Sequence, residues 1–190
     1  MSATKILLSV FTLSLASALA SCGSDGTASP SSSTTEVPAG HEQEVTDAKI
    51  VIGAADYSFT GVPRSVEAGV ELGLDNASSQ EAHELIAIRL PAEETRTLAE
   101  IKALPAAEFQ QLTAVLPATV IVAAPESEGE VVLGNGTLTE PGRYLLTCAI
   151  PIGTDPDLFM ERAHMTVGPP SLAGGPPHHT AGMIAELTVT

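Results

Sequence analysis

Basic residues are scarce in this chain: 8 Lys and Arg stand against 23 Asp and Glu, a formal net charge of −15. That excludes nucleic acid as a partner, because phosphate backbones demand basic surface. It fits an exported soluble domain, or one that meets a basic partner. Aromatic residues are few, and tryptophan is absent. Beyond the first 20 residues no apolar run approaches 18 residues, so no transmembrane helix is expected there. A glycine-rich phosphate loop and a nucleophile elbow are both missing, which argues against an enzyme. There are only two cysteines, Cys22 and Cys148. Whatever occupies one of them leaves the other without a disulfide partner in the same chain.

Cys22 has a clear assignment. Lys5 supplies a positive charge, and Ile6 to Ala20 form an apolar and small-residue run too short to span a bilayer. The run ends in Leu19-Ala20-Ser21-Cys22, which resembles the lipobox of bacterial lipoproteins. The resemblance implies a signal peptide over 1–21, a lipid on Cys22 and a place outside the cytoplasm, on the outer face of the cell membrane or in the periplasm. Each buried methylene of the acyl chains would add about 0.8 kcal/mol of anchoring. Residues 22–45 are rich in Gly, Ser, Thr and Pro with no periodicity, as expected of a flexible tether. Without Lys5 the chain keeps 7 basic residues against 23 acidic, a net of −16. Residues 46–190 are the size of one domain.

The domain reads as β. Lys49 to Ile52, Val66 to Leu74, Glu84 to Leu90, Thr119 to Ala123, Glu130 to Leu133, Arg143 to Ile150 and Met183 to Val189 are apolar runs punctuated by turn residues. Tyr144, Leu146 and Cys148 share one strand face by the period of two. Between Pro91 and Pro117 the spacing of Leu98, Ile101 and Leu104 predicts one or two short helices broken at Pro105. Counted from Thr95, Glu100 is not at capping-box distance. A further short helix is expected around Asp157 to His164. The pattern predicts an antiparallel sandwich or barrel carrying a helical insertion.

His83 lies where a loop meets a strand, Cys148 ends a strand, and His178, His179 and Met183 precede the last one. Two imidazoles, a thiolate and a weak thioether are the donor set of a blue-copper site. The flanking motifs carry a resemblance: Pro63-x-x-Val66-x-Ala68-Gly69, Asn76 followed by His83-Glu84-Leu85, Glu140-Pro141-Gly142-Arg143-Tyr144 through Cys148-x-Ile150-Pro151, and Pro177-His178 through Gly182-Met183 to Val189. Together they resemble the cupredoxin family, in particular exported plastocyanin-like domains, over most of 46–190. The resemblance implies a Greek-key β-sandwich holding one mononuclear type 1 copper, with His83, Cys148 and His178 in the plane and Met183 axial. It implies one-electron transfer with a redox protein partner. The five-residue step from His178 to Met183 matches plastocyanin-like sites; a step of four, as in azurin-like sites, would select His179. Met160, His164 and Met165 are alternatives to the closing pair.

Two departures from the family pattern stand out. Cys148 and His178 are separated by 29 residues where cupredoxins keep a short loop, so about 154–175 reads as an insertion. Glu84 follows the first His where many members have Asn, which ties the two ligand loops together. Thr147 and Ala149 flank Cys148, so the His-Cys-His relay of multicopper oxidases is missing, and one cysteine cannot build a dinuclear copper centre. The alternatives to electron transfer are a copper carrier or sequestering lipoprotein and a copper-free binding module.

Overall fold

The computed structural model describes residues 49–55, 57–165 and 172–190. The expected signal peptide, Cys22 and tether lie outside the described residues, as does the middle of the insertion, 166–171. The described residues belong to one unit, Glu44–Thr190.

In chain order the elements are β1 (Lys49–Ala55), β2 (Ser58–Thr60), β3 (Ser65–Val66), β4 (Val70–Asn76), β5 (His83–Arg89), α1 (Leu98–Lys102), α2 (Ala106–Thr113), β6 (Thr119–Ala123), β7 (Ser127–Glu128), β8 (Glu130–Leu133), β9 (Thr137–Leu138), β10 (Gly142–Thr147), α3 (Pro156–Ala163), α4 (His178–Ala181) and β11 (Ile184–Val189). They form a β-sandwich. One sheet runs β2-β1-β4-β7, with β9 also on β4, and the other runs β3-β11-β10-β5-β6-β8. Most pairings are antiparallel, as expected from the sequence. The pairs β1–β4 and β11–β3 are parallel, which strand composition alone cannot reveal.

The period of two builds the core. Ile52 and Ala54 of β1, Leu72 and Leu74 of β4, Leu85 and Ala87 of β5, and Tyr144, Leu146 and Cys148 of the β10 segment meet between the sheets. The opposite face of β5 and β10 is not left to water. Ile88, Leu90, Leu145 and Ile184 pack there against Ile101 of α1 and Phe109 of α2, forming a second core. This is why the apolar runs of β5 and β10 lack a clean alternation. Helix α1 starts at a capping box: Thr97 accepts from the Glu100 N–H while Glu100 accepts from the Thr97 N–H. The start signal lies two residues after Thr95, at Thr97, which has Glu100 at capping-box distance. Arg143 fastens the segment leading into this helix, donating to the Glu94 and Arg96 carbonyls at 2.6 and 2.8 Å and pairing with Glu186.

At the start of β10 the buried Tyr144 hydroxyl donates to the Glu140 carbonyl at 2.8 Å, the geometry of a tyrosine corner. Tyr144→Phe is expected to cost about 1 kcal/mol, the net worth of one such bond, and no more, because the exposed Glu140 carbonyl can turn to water. Urea unfolding of the two proteins measures it.

Candidate metal centre

His83 opens β5. The loop that delivers it is fixed by Asn76, whose buried side-chain amide donates to the carbonyls of Glu81 (2.9 Å), Ala123 (3.3 Å) and Ala124 (2.9 Å) and accepts from Ser78 N–H. One side chain thus pins the end of β4, the approach to His83 and the end of β6.

Cys148 follows β10, and the insertion after it does not loosen the site. His179 N–H donates to the Cys148 carbonyl and His178 N–H to the Ile150 carbonyl, both at 2.9 Å. Ile152 N–H donates to Pro176, Gly175 N–H donates to Ile152, and Pro151 and Pro177 form an antiparallel bridge. The two ends of the insertion are therefore zipped together. Gly174 permits the close approach: a Cβ there would lie 2.6 Å from the Pro151 ring. Residues 153–174 leave from the far end of this zipper, so the Cys148–His178 connection is as short, structurally, as a tight loop. Helix α3 grows from it, capped by Asp155, which accepts from Leu158 N–H.

His178 begins the single turn of α4. Gly182, at φ 127°, ends that turn and redirects the chain into β11. Met183 N–H donates to the His178 carbonyl, and the Met183 carbonyl accepts from Cys148 N–H. The Met183 side chain is fully buried in the core that also holds Cys148.

The result is a cluster. His83 Nδ1 and His178 Nδ1 are 3.2 Å apart, and Cys148 Sγ is 3.4 Å from His178 Nδ1. Ligand atoms of all three lie within 4.8 Å of one another, and all three side chains are buried. His179 is elsewhere. Its ring stacks on Phe109 at a centroid distance of 4.5 Å, with Nδ1 facing the Cys148 carbonyl. His164 pairs with Glu130 at 3.0 Å, Met165 is exposed, and Met160 packs at the edge of the core.

Glu84 performs the tie that an Asn would make. Its N–H points at Cys148 Sγ at 3.5 Å and its carboxyl accepts from Ala149 N–H at 2.9 Å, so the β5 and β10 segments are strapped together beside the thiol. Burial pushes the Glu84 carboxyl up to about 7, against the pull of the Ala149 N–H.

The cluster fits a cation. Burial, reinforced by the Glu84 carboxylate, pushes the Cys148 thiol well up, so a thiolate there requires a neighbouring positive charge. Burial also pushes His178 down, with Glu81 opposing, and neutral imidazole is the metal-binding form. At 3.2 Å the two Nδ1 atoms can share at most one proton, so at least one lone pair aims into the cluster. Two imidazoles and one thiolate with a nearby buried thioether suit a single copper ion better than a hard cation, which prefers oxygen.

No known family profile matches the chain, and no curated protein matches it. Solved structures do. The chain is similar to sodium-dithionite-reduced auracyanin from the photosynthetic bacterium Roseiflexus castenholzii, at 16% identity and a TM-score of 0.43, covering 75% of this chain and 97% of that one. It is similar to auracyanin A, a "blue" copper protein from the green thermophilic photosynthetic bacterium Chloroflexus aurantiacus, at 21% identity and a TM-score of 0.40, covering 75% and 98%. A multi-copper oxidase from Pediococcus acidilactici matches at 12% identity and a TM-score of 0.36, covering 82% of this chain and 28% of the oxidase. At this level of similarity the centre has to be read from its own residues.

Those residues include two that sequence reasoning missed. Glu81 faces His178, and Tyr57 packs its ring edge-on against His178 at 4.8 Å between centroids and against His83 at 6.5 Å. Neither belongs to a motif with recognisable spacing.

Proposed function

We propose that this chain is an exported, lipid-anchored protein with one mononuclear copper centre that passes single electrons. His83, Cys148 and His178 would hold the ion, with Met183 as a weak further donor. The observation that carries the reading is the convergence of two imidazole nitrogens and one thiol sulfur, all buried, within 4.8 Å. Copper in such a donor set supplies a one-electron couple. The chain's own contribution is rigidity. The zipper fixes His178 relative to Cys148, Glu84 straps the two ligand segments, and Asn76 pins the approach to His83. Such a frame changes little between oxidation states, which is what fast exchange requires.

The N-terminal assignments belong to the same reading. A lipid on Cys22 would hold the domain at the outer face of the membrane, and 22–45 would give it reach. The net charge of −15 would steer it toward a basic patch on a redox protein partner.

Voltammetry of the copper-loaded protein tests the role. A reversible one-electron wave with fast heterogeneous exchange is expected. Copper that stays bound without a reversible wave would favour the alternative of a carrier or sequestering protein.

A further inference from the structure

His178 has a second ring nitrogen, and what it meets is informative. His178 Nε2 is buried and faces Glu81 Oε2 at 3.6 Å, just beyond hydrogen-bond length; among the described residues neither atom has another hydrogen-bond partner. The other Glu81 oxygen is anchored. It accepts from the Tyr57 hydroxyl at 3.0 Å and from Gly153 N–H at 3.3 Å. Three separate segments therefore converge on one carboxylate: the β1–β2 turn, the loop before β5 and the turn after Pro151.

Tyr57 carries a further mark. Its backbone sits at φ 60°, a left-handed conformation that a bulky residue rarely adopts. Such strain persists only where the surroundings over-determine it. Here the ring packs edge-on against both imidazoles and the hydroxyl reaches Glu81.

We propose that Glu81 is a positioning residue for His178: anchored by Tyr57, its carboxylate takes the Nε2–H of the imidazole and keeps Nδ1 a lone pair aimed at Cys148 and His83. An ionised carboxylate can only accept, so its presence at Nε2 places the proton there. The other tautomer would put a proton into the cluster and leave two acceptors facing each other at 3.6 Å. An outer partner of this kind sets both tautomer and ring orientation of a ligating histidine. Tyr57 and Glu81 together also close the edge of a ring that is itself fully buried.

The inference rests on the copper reading for its metal arm, while its tautomer arm stands without metal. The experiment has both. Long-range proton–nitrogen correlation spectra of the 15N-labelled, metal-free protein report which ring nitrogen of His178 carries the proton. The wild type is expected to show the Nε2–H form alone. Glu81→Ala is expected to populate the Nδ1–H form, and Glu81→Gln, whose amide oxygen accepts the same N–H, to restore the wild-type pattern. Tyr57→Phe removes a single hydroxyl and serves if Glu81→Ala does not fold; it should raise the Nδ1–H fraction above the wild-type value. In competition with a chelator, Glu81→Ala should bind Cu(II) about 10–100-fold more weakly, the usual effect of losing an outer-shell partner. A wild-type Nδ1–H form, an unchanged tautomer in Glu81→Ala, or equal measurable Cu(II) affinity in the two proteins overturns the proposal. A tautomer shift in proteins that take up no Cu(II) leaves the positioning role standing and rejects the copper reading.

Discussion

Cys148→Ser is expected to abolish the thiolate-to-copper colour and to cost more copper affinity than the roughly 10–100-fold that losing an outer-shell partner costs. The thiol is the one soft donor among the three clustered side chains. It sits fully buried, 3.4 Å from His178 Nδ1, and receives the Glu84 N–H. A serine hydroxyl is smaller and does not ionise in this setting, so the remaining imidazoles would hold copper weakly and without the colour. The fold should survive. The backbone at Cys148 keeps its bonds to Met183 and His179, and the side-chain volume changes little. Far-ultraviolet circular dichroism of the metal-free variant checks that, and absorption with chelator competition reads the metal.

Phe159→Ala carries the largest expected stability loss. Phe159 is 1% exposed and is the single residue of α3 wholly inside the core between the sheets. Truncating a buried phenylalanine costs about 3–5 kcal/mol through lost burial and the cavity left behind. For a domain of this size that lowers the melting temperature by roughly 10–20 °C. The adjacent Leu158, 39% exposed, is the control, and Leu158→Ala should stay within about 0.5 kcal/mol. Calorimetry of both variants measures it. Below its melting point Phe159→Ala is expected to bind copper as the wild type does, because the zipper from Cys148 to His178 does not involve α3. Helix α3 then stabilises the fold without setting the ligand geometry.

The parts of this site that were legible in the sequence are those carried by local motifs. His83 opens β5 and Cys148 directly follows β10, close to the sequence expectation, whereas His178 lies on the single helical turn α4, which the sequence did not announce; His83, Cys148 and His178 cluster. In the sequence, the step to Met183 and the Pro177-His178 pair both favour His178 over His179. In three dimensions His178 joins the cluster, while His179 stacks on Phe109, 70 positions away. The long Cys148–His178 separation gives no sign in the sequence of how closely its ends meet. Its zipper depends on backbone bonds between Pro151–Ile152 and Gly175–Pro177, which leave no side-chain signature beyond glycine and proline. Glu84 looked like a lost tie and instead makes one, because a carboxyl reaches the Ala149 N–H. Tyr57 and Glu81 were invisible because tertiary folding alone brings them to the imidazoles. The parallel β1–β4 pairing was hidden for the same reason, since strand composition does not encode direction.

Addition of Cu(II) to the purified protein, followed by visible absorption, tests the central claim most directly. The account predicts an intense thiolate-to-copper band that grows until one ion is bound per chain and is absent in Cys148→Ser. A colourless complex, or a band that persists in Cys148→Ser, would contradict it.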